Sequence, residues 1–348
     1  MTIPYEILFI IDLLASLSPY IIIVLSLNLE FGYAGVANFG KTLSVAGGAF
    51  LVGYLPGRLT SWILGIETGN YVANSNAIVS QINTVFTVNP ILALSVFILT
   101  MATAMVVGAA LGFIAAYPVV RLREEYLAMV FLAMGEALLV IGYNYPELVG
   151  GTLGIMVPDP FAWFRELRYP ATTIIMLLIA ILTFIYVEIL TKSPLGRMLR
   201  AIRDDEYAAM ALGKNVARVR VKTVMLSSSI AAVGGALYAF YSGGVIATAY
   251  NRVSWTFWPW VMVILGGAAN NKGAILGTFI FVTVRKIIEF NKDKLAPYIP
   301  FDVVWLDMLL LGVVLIIILI FRPEGVIPEK PIRTVKLREV KRSHNVNI

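Results

Sequence analysis

The sequence predicts an all-α protein, a polytopic transmembrane helical bundle of about nine spans (eight to ten). Three observations predict it. Hydrophobic residues make up 59% of the 348 positions and charged ones only 14%, against roughly 45–50% apolar in a soluble domain. Mean hydropathy is +0.83. The apolar residues fall into runs near the twenty that a helix needs to cross a bilayer at about 1.5 Å rise per residue.

In chain order the runs place helices at 7–29, 34–55, 91–117, 127–144, 170–190, 223–243, 256–269, 273–290 and 303–321. The first lacks a positive leader and is long for a cleaved signal segment, so it reads as a span. The run 256–269 is short and admits a re-entrant alternative. Between Pro56 and Pro90 an Asn-rich stretch reads as an external or interfacial connector. Glycines four apart, Gly108 with Gly112 and Gly273 with Gly277, let helices pack closely where lipid provides no hydrophobic drive. GGAFLVGY (Gly47–Tyr54) echoes GGALYAFY (Gly234–Tyr241), which suggests an internal repeat of the transporter kind.

The formal charge of +6 does not imply nucleic acid, because the basic residues cluster in cytoplasm-like segments. These are the Arg121–Arg123 loop, the island Thr191–Lys222 with eight Lys or Arg, and the tail 322–348 with seven. The positive-inside rule puts them in the cytoplasm and the N-terminus outside, with residues 1–321 as the membrane domain. No cysteine is present, and the single histidine is His344 in the tail. Thiolate sites and intramembrane histidine chemistry are therefore excluded; no metal site or cofactor is expected.

The island Thr191–Lys222 reads as a helix, a break and a second short helix. Asp204 and Asp205 are suited to cap the second helix and Gly213 to end it in a left-handed turn. Gly35–Thr42, GVANFGKT, matches a phosphate-loop pattern, but it lies between membrane helices without the strand and soluble domain that nucleotide chemistry requires. It is set aside as a chance match. Asn38, Lys41 and Ser44 there are instead polar groups near membrane depth, candidates for a translocation path, with Lys41 snorkelling to the interface as the alternative. Glu136 lies in an apolar helix and needs a partner, a proton or water; with Asn144 it joins the path candidates, or else bonds another helix.

Several segments together resemble the branched-chain amino-acid ABC transporter permeases of the LivM type. They are Asn28–Leu55, Leu122–Ile155 with Gly135, Glu136, Gly150, Gly151 and Gly154, Ser193–Lys222, Val261–Ile280 and Phe321–Pro328. The resemblance implies an inner-membrane permease without ATPase activity of its own. Its implied partners are a second homologous permease subunit, two cytoplasmic ATP-binding subunits, an extracytoplasmic substrate-binding protein, a small-molecule substrate and membrane lipid. It also implies that the island docks on an ATPase through Ala208, Ala209 and Gly213, with Arg200, Arg203, Asp204, Glu206 and Tyr207 around them. Tyr207 stands at the position where the family pattern is acidic, and Lys41 where it commonly has histidine. Branched-chain or other hydrophobic amino acids are the implied cargo, with urea, short amides or sugars as alternatives. An ion-coupled secondary transporter would place more ionisable groups within the spans. An intramembrane enzyme would need a catalytic constellation that is not visible.

Overall fold

Long apolar segments in lipid satisfy their backbone groups by hydrogen-bonding along a helix. The computed structural model describes residues 5–67, 69–120, 124–295 and 305–329, and these are largely helical. Helix α1 (Tyr5–Leu27) continues into a π-helical turn, Asn28–Tyr33, beyond the predicted end. Helix α2 is Lys41–Leu64 and not 34–55. Residues 34–40 are kept out of it by Gly35 at φ +70° and by Asn38, whose Oδ1 accepts the Gly40 amide at 2.8 Å. Pro56 lies inside α2, where the prediction stopped. Thr60 and Ser61 hydroxyls bond the carbonyls of Pro56 and Gly57 there, the back-bonding of Ser and Thr to the preceding turn of a helix.

The Asn-rich connector is not a solvated loop. Much of it is α3 (Ser75–Val88), which buries Ile78, Val79, Ile82 and Phe86. Their spacing of three and four puts them on one face, but the intervening Asn, Ser and Gln hide it from a composition reading. Next come α4 (Pro90–Ala116) and α5 (Glu124–Asn144), close to prediction, and the single turn α6 (Pro146–Val149). Arg121 and Arg123 lie outside the described residues.

Helix α7 (Arg168–Lys192) leads into α8 (Pro194–Asp204) and α9 (Glu206–Ala211), so the island is a helix, a break and a helix. Helix α10 (Val216–Ser242) starts earlier than 223. Asn215 caps it by accepting the Arg218 amide at 3.0 Å, which removes residues 216–222 from the island. A two-residue antiparallel ladder pairs β1 (Ile155–Met156) with β2 (Gly244–Val245). The predicted 256–269 helix is a π-helical turn, Val253–Phe257, followed by α11 (Trp258–Gly266). Helices α12 (Asn271–Phe290), α13 (Lys292–Leu295) and α14 (Leu306–Phe321) complete the order. Residues 330–348, most of the predicted tail, lie outside the described residues.

Five helices among the described residues are long and apolar enough to cross a membrane: Ile7–Tyr33, Pro90–Ala116, Tyr126–Asn144, Ala162–Lys192 and Val216–Ser242. Over an 18-residue apolar stretch of each, 83% of residues are buried in the last and 22–44% in the other four. Helix α10 is therefore the central strut, and the others present an outward face. Small residues make this packing possible. A Cβ at Gly108 would sit 2.5 Å from the Ala232 side chain, and one at Gly48 would sit 2.1 Å from the Ala232 carbonyl. A Cβ at Gly235 would sit 2.0 Å from the Val45 carbonyl. The last two contacts exchange under the shift in residue number that aligns the GGAFLVGY and GGALYAFY echo.

Helices α1 and α12 run antiparallel. Phe9 packs on Phe290 with centroids 4.9 Å apart, Asp12 pairs with Lys286 at 2.9 Å, and Asn28 bonds Asn271 at 3.0 Å. One end of the bundle thus gathers α8, α9 and the starts of α2 and α12. The other end carries α6, β1 and β2.

Candidate functional site

At the α8–α9 end, Ser193 caps α8, its Oγ accepting the Leu195 amide at 3.2 Å. The break falls at Asp205, whose extended backbone (φ −155°, ψ 107°) ends α8 and whose carboxylate accepts the Ala208 amide at 3.0 Å. Asp205, rather than Asp204, is therefore the cap of α9. Gly213, at φ +75°, closes the motif in the left-handed region open to glycine.

Two of the arginines of this unit, Arg200 and Arg203, turn inward, while Arg197 is exposed. Arg203 Nη1 donates to the Gly32 carbonyl at 2.6 Å, and its Nη2 lies 2.9 Å from Glu329 Oε2. Arg200 Nε lies 3.3 Å from Glu329 Oε1, and its guanidinium stacks over Tyr33 at 4.9 Å. Partial burial opposes the charge of Arg203, but Glu329 and Asp204 outweigh it and hold the guanidinium above its ordinary range. Glu206 is likewise engaged within the chain, accepting Arg220 Nη1 at 2.9 Å. Ala209 is buried on Ile202 and Val216. Facing outward are Tyr207, 82% exposed, and Leu212, 79%, with Met210 and Ala208 beside them, and the unit also exposes Arg197, Asp204, Asp205 and Lys214.

Beneath this unit lies a fully buried ion pair. Lys41 Nζ is 3.1 Å from Glu30 Oε2, with both side chains inaccessible, and it donates to Ser227 Oγ at 2.6 Å. Ser227 in turn donates to the Ser26 carbonyl at 2.6 Å. Lys41 does not snorkel. The π-helical turn points Glu30 inward, and the first turn of α2 points Lys41 at it. Asn38 and Ser44 are also interior; the Asn38 carbonyl accepts Trp260 Nε1 at 3.0 Å. Among the described residues no strand precedes Gly35–Thr42.

Glu136 and Asn144 lie elsewhere. Gly135 and Gly142 face α2, which turns Glu136 away from it. Glu136 Oε1 is 3.4 Å from Arg252 Nε, with side chains 40% and 51% exposed. Asn144 Nδ2 donates to the Val140 carbonyl at 2.9 Å and borders a cavity of about 310 Å³. A larger cavity of about 730 Å³ opens at the far end, among Asn70, Glu147, Met156, Tyr238 and Tyr250. The structure thus brings Asn38, Lys41 and Ser44 together in the interior and leaves Glu136 with Asn144 on a separate open face.

Residues 9–319 match the family described as branched-chain amino acid transport system, permease component. The chain belongs to this permease family. It is 41% identical over 323 residues to the probable branched-chain amino acid transport permease protein LivM of Methanocaldococcus jannaschii, covering 92% of this chain and 93% of that one. With the high-affinity LivM permease of Escherichia coli strain K12 it shares 30% identity over 247 residues, which span 64% of this chain and 55% of the relative. The LivH permease of the same organism is 24% identical over 278 residues, 76% of this chain and 79% of the relative. No solved structure matches the chain significantly.

In this permease the polar interior ties together elements distant in sequence. Asn271 donates to Glu188 Oε2 at 2.8 Å and to Thr191 Oγ1 at 2.9 Å, linking α12 to the end of α7. Residues 326–327 bond back to Leu265 and Gly266, and Glu329 clamps α8. The sequence reading missed Glu30, Ser227, Arg252 and Glu329. Glu30 and Lys41, opposite charges flanking one break between two apolar runs, could have been paired from the sequence; Arg252 and Glu329 gave no such signal.

Glu329→Gln is expected to cost the permease about 1–2 kcal/mol, since two guanidinium contacts lose their charge. Hydrogen exchange checks this: the Val326 and Ile327 amides, bonded to the Leu265 and Gly266 carbonyls, should exchange faster while those of α10 do not change.

Proposed function

We propose that the permease is the membrane-spanning subunit of an ABC importer that carries branched-chain or other hydrophobic amino acids across the cytoplasmic membrane by alternating access. In this reading α1, α2, α4, α5, α7, α10, the 253–266 segment, α12 and α14 make nine crossings. The N-terminus is then outside and the basic end of the chain in the cytoplasm. The antiparallel register of α1 with α12 and the grouping of α8, α9 and the Glu329 segment at one end support it. A second permease subunit, two ATP-binding subunits and an extracytoplasmic binding protein complete the importer.

The observation that carries the reading is the division of labour in the α8–α9 unit. Arg200 and Arg203 hold it to the permease, through Gly32 on the α1 extension and through Glu329. Its exposed surface carries a small and apolar patch, Tyr207, Ala208, Met210 and Leu212, with exposed charges at Arg197, Asp204, Asp205 and Lys214. Such a surface fits a cleft in a partner that has an apolar centre and a polar rim. Motion imposed on α9 therefore passes through Arg203 to the end of α1 and through Glu329 to the α11–α12 turn. That is the behaviour required of a rigid lever between an ATPase and a membrane path.

The path itself runs along a wet face. A charged side chain at the bilayer centre costs about 2.5–3.5 kcal/mol on insertion scales. The half-exposed Glu136–Arg252 pair, beside the middle of the Tyr126–Asn144 span, therefore faces water or a second subunit rather than lipid tails. Neutral solutes such as urea or sugars would find no use for these charges.

Because Arg200 and Arg203 point inward, reversing them disturbs the lever as well as the docking surface. Ala208→Trp is the cleaner test. It should abolish co-purification of the ATPase subunits and reduce amino-acid uptake to background, with membrane insertion unchanged. Normal co-purification would refute docking through α9.

A further inference from the structure

We infer that Glu136 and Arg252 form a binding site for a zwitterionic α-amino acid with an apolar side chain on the wall of the translocation path; the cargo class rests on the importer reading above. The two side chains approach each other to 3.4 Å, Oε1 to Nε, longer than a close charge-assisted hydrogen bond. Among the described residues neither side chain has a further ion-pair or hydrogen-bond partner beyond the other. A guanidinium presents its donors in a planar fork that matches a carboxylate, and a carboxylate accepts an ammonium. The pair therefore displays, side by side, the two charges complementary to those that an α-amino acid carries on one carbon. When no cargo is bound the two groups neutralise each other, which avoids stranding either charge in the membrane.

The apolar half of the site adjoins the charges. Leu139, Val140 and Tyr143 follow Glu136 by three, four and seven positions and so share its helix face. With Ala247 and Thr248, from the segment leading to Arg252, they line the cavity of about 310 Å³. A branched aliphatic side chain would occupy this cavity, which Asn144 and Asn251 also border, with its α-carbon directed toward the charge pair. A sugar or a short amide satisfies neither half: it brings no charge to either group and polar atoms to an apolar wall. A face that recognises both ends of the cargo gives the permease selectivity of its own, in addition to that of the delivering protein.

The test uses radiolabelled L-leucine and the assembled permease–ATPase complex in lipid nanodiscs, without the binding protein. Saturable binding is expected, weakened about tenfold or more by Glu136→Gln and by Arg252→Gln. 3-Methylbutylamine and 4-methylpentanoate, each retaining one charge, should compete about tenfold less well than leucine. Thr248→Trp fills the cavity and leaves both charges in place; it should abolish binding, and it decides the case if a charge variant fails to assemble. Absence of saturable binding to the wild-type complex, or unchanged affinity in the assembled variants, overturns the site. Uptake by wild-type complex reconstituted with its binding protein is measured in parallel. If leucine is taken up while the variants bind it normally, this site alone fails; if no amino acid is taken up, the importer reading fails.

Discussion

Lys41→Met is expected to destabilise the permease by about 3–5 kcal/mol, because it leaves the Glu30 carboxylate inaccessible to solvent and without its counter-charge. Burial of an unpaired ion is among the few single changes with so large an effect. The variant should lose monodispersity in detergent and unfold at a lower temperature. Glu30→Gln combined with Lys41→Met removes both charges and should recover most of the loss, since a buried pair gains little over a neutral replacement. The recovery separates a charge penalty from a packing defect: if the double variant is as unstable as the single one, shape rather than charge governs this site. The Ser227 hydroxyl keeps its bond to the Ser26 carbonyl in both variants, so neither substitution strands that donor.

Gly48→Leu is expected to be nearly as damaging, about 3 kcal/mol or more. Even the first carbon of the new side chain would fall 2.1 Å from the Ala232 carbonyl, and backbone cannot rotate away as a side chain can. Overpacked cores answer by moving a helix or adopting strained rotamers. Here the helix that must move is α10, the most buried of the five long apolar spans. Its displacement would also pull Ser227 from Lys41, so the same variant should lower uptake per assembled complex. Thermal unfolding and transport assays check the two effects separately, and Gly65→Ala offers a contrast. Gly65 has open space around its Cβ position but a φ of +66°, so any loss there reports backbone strain without overpacking.

The sequence was most legible where one physical constraint acts alone. Lipid exposure demands long apolar runs, and α4, α5 and α7 lie close to prediction for that reason. Caps are local chemistry, so the break at Asp205 and the left-handed Gly213 could be anticipated within a residue. The start of α2 could not, because the turn before it depends on Asn38 bonding the Gly40 amide. Nor could α3, whose buried stripe has meaning only once α2 and the 162–167 turn pack on it. The family resemblance located the α8–α9 unit, but the direction of its arginines depended on Glu329, more than a hundred residues further along the chain. Glu136 was singled out from its apolar context, whereas Arg252 follows an irregular stretch where a charge has no visible meaning until α5 lies beside it.

The Glu30–Lys41 pair also bears on how the chain is made. Its two members are separated only by the short 34–40 link, so they can meet as soon as the first two helices leave the ribosome. Ser227, which completes the cluster, lies 186 positions beyond Lys41. At a synthesis rate of about 5–20 residues per second, it arrives roughly 10–40 s later. For that interval the nascent hairpin must shelter its own charges, and the short link between its helices allows it to do so before the rest of the bundle exists.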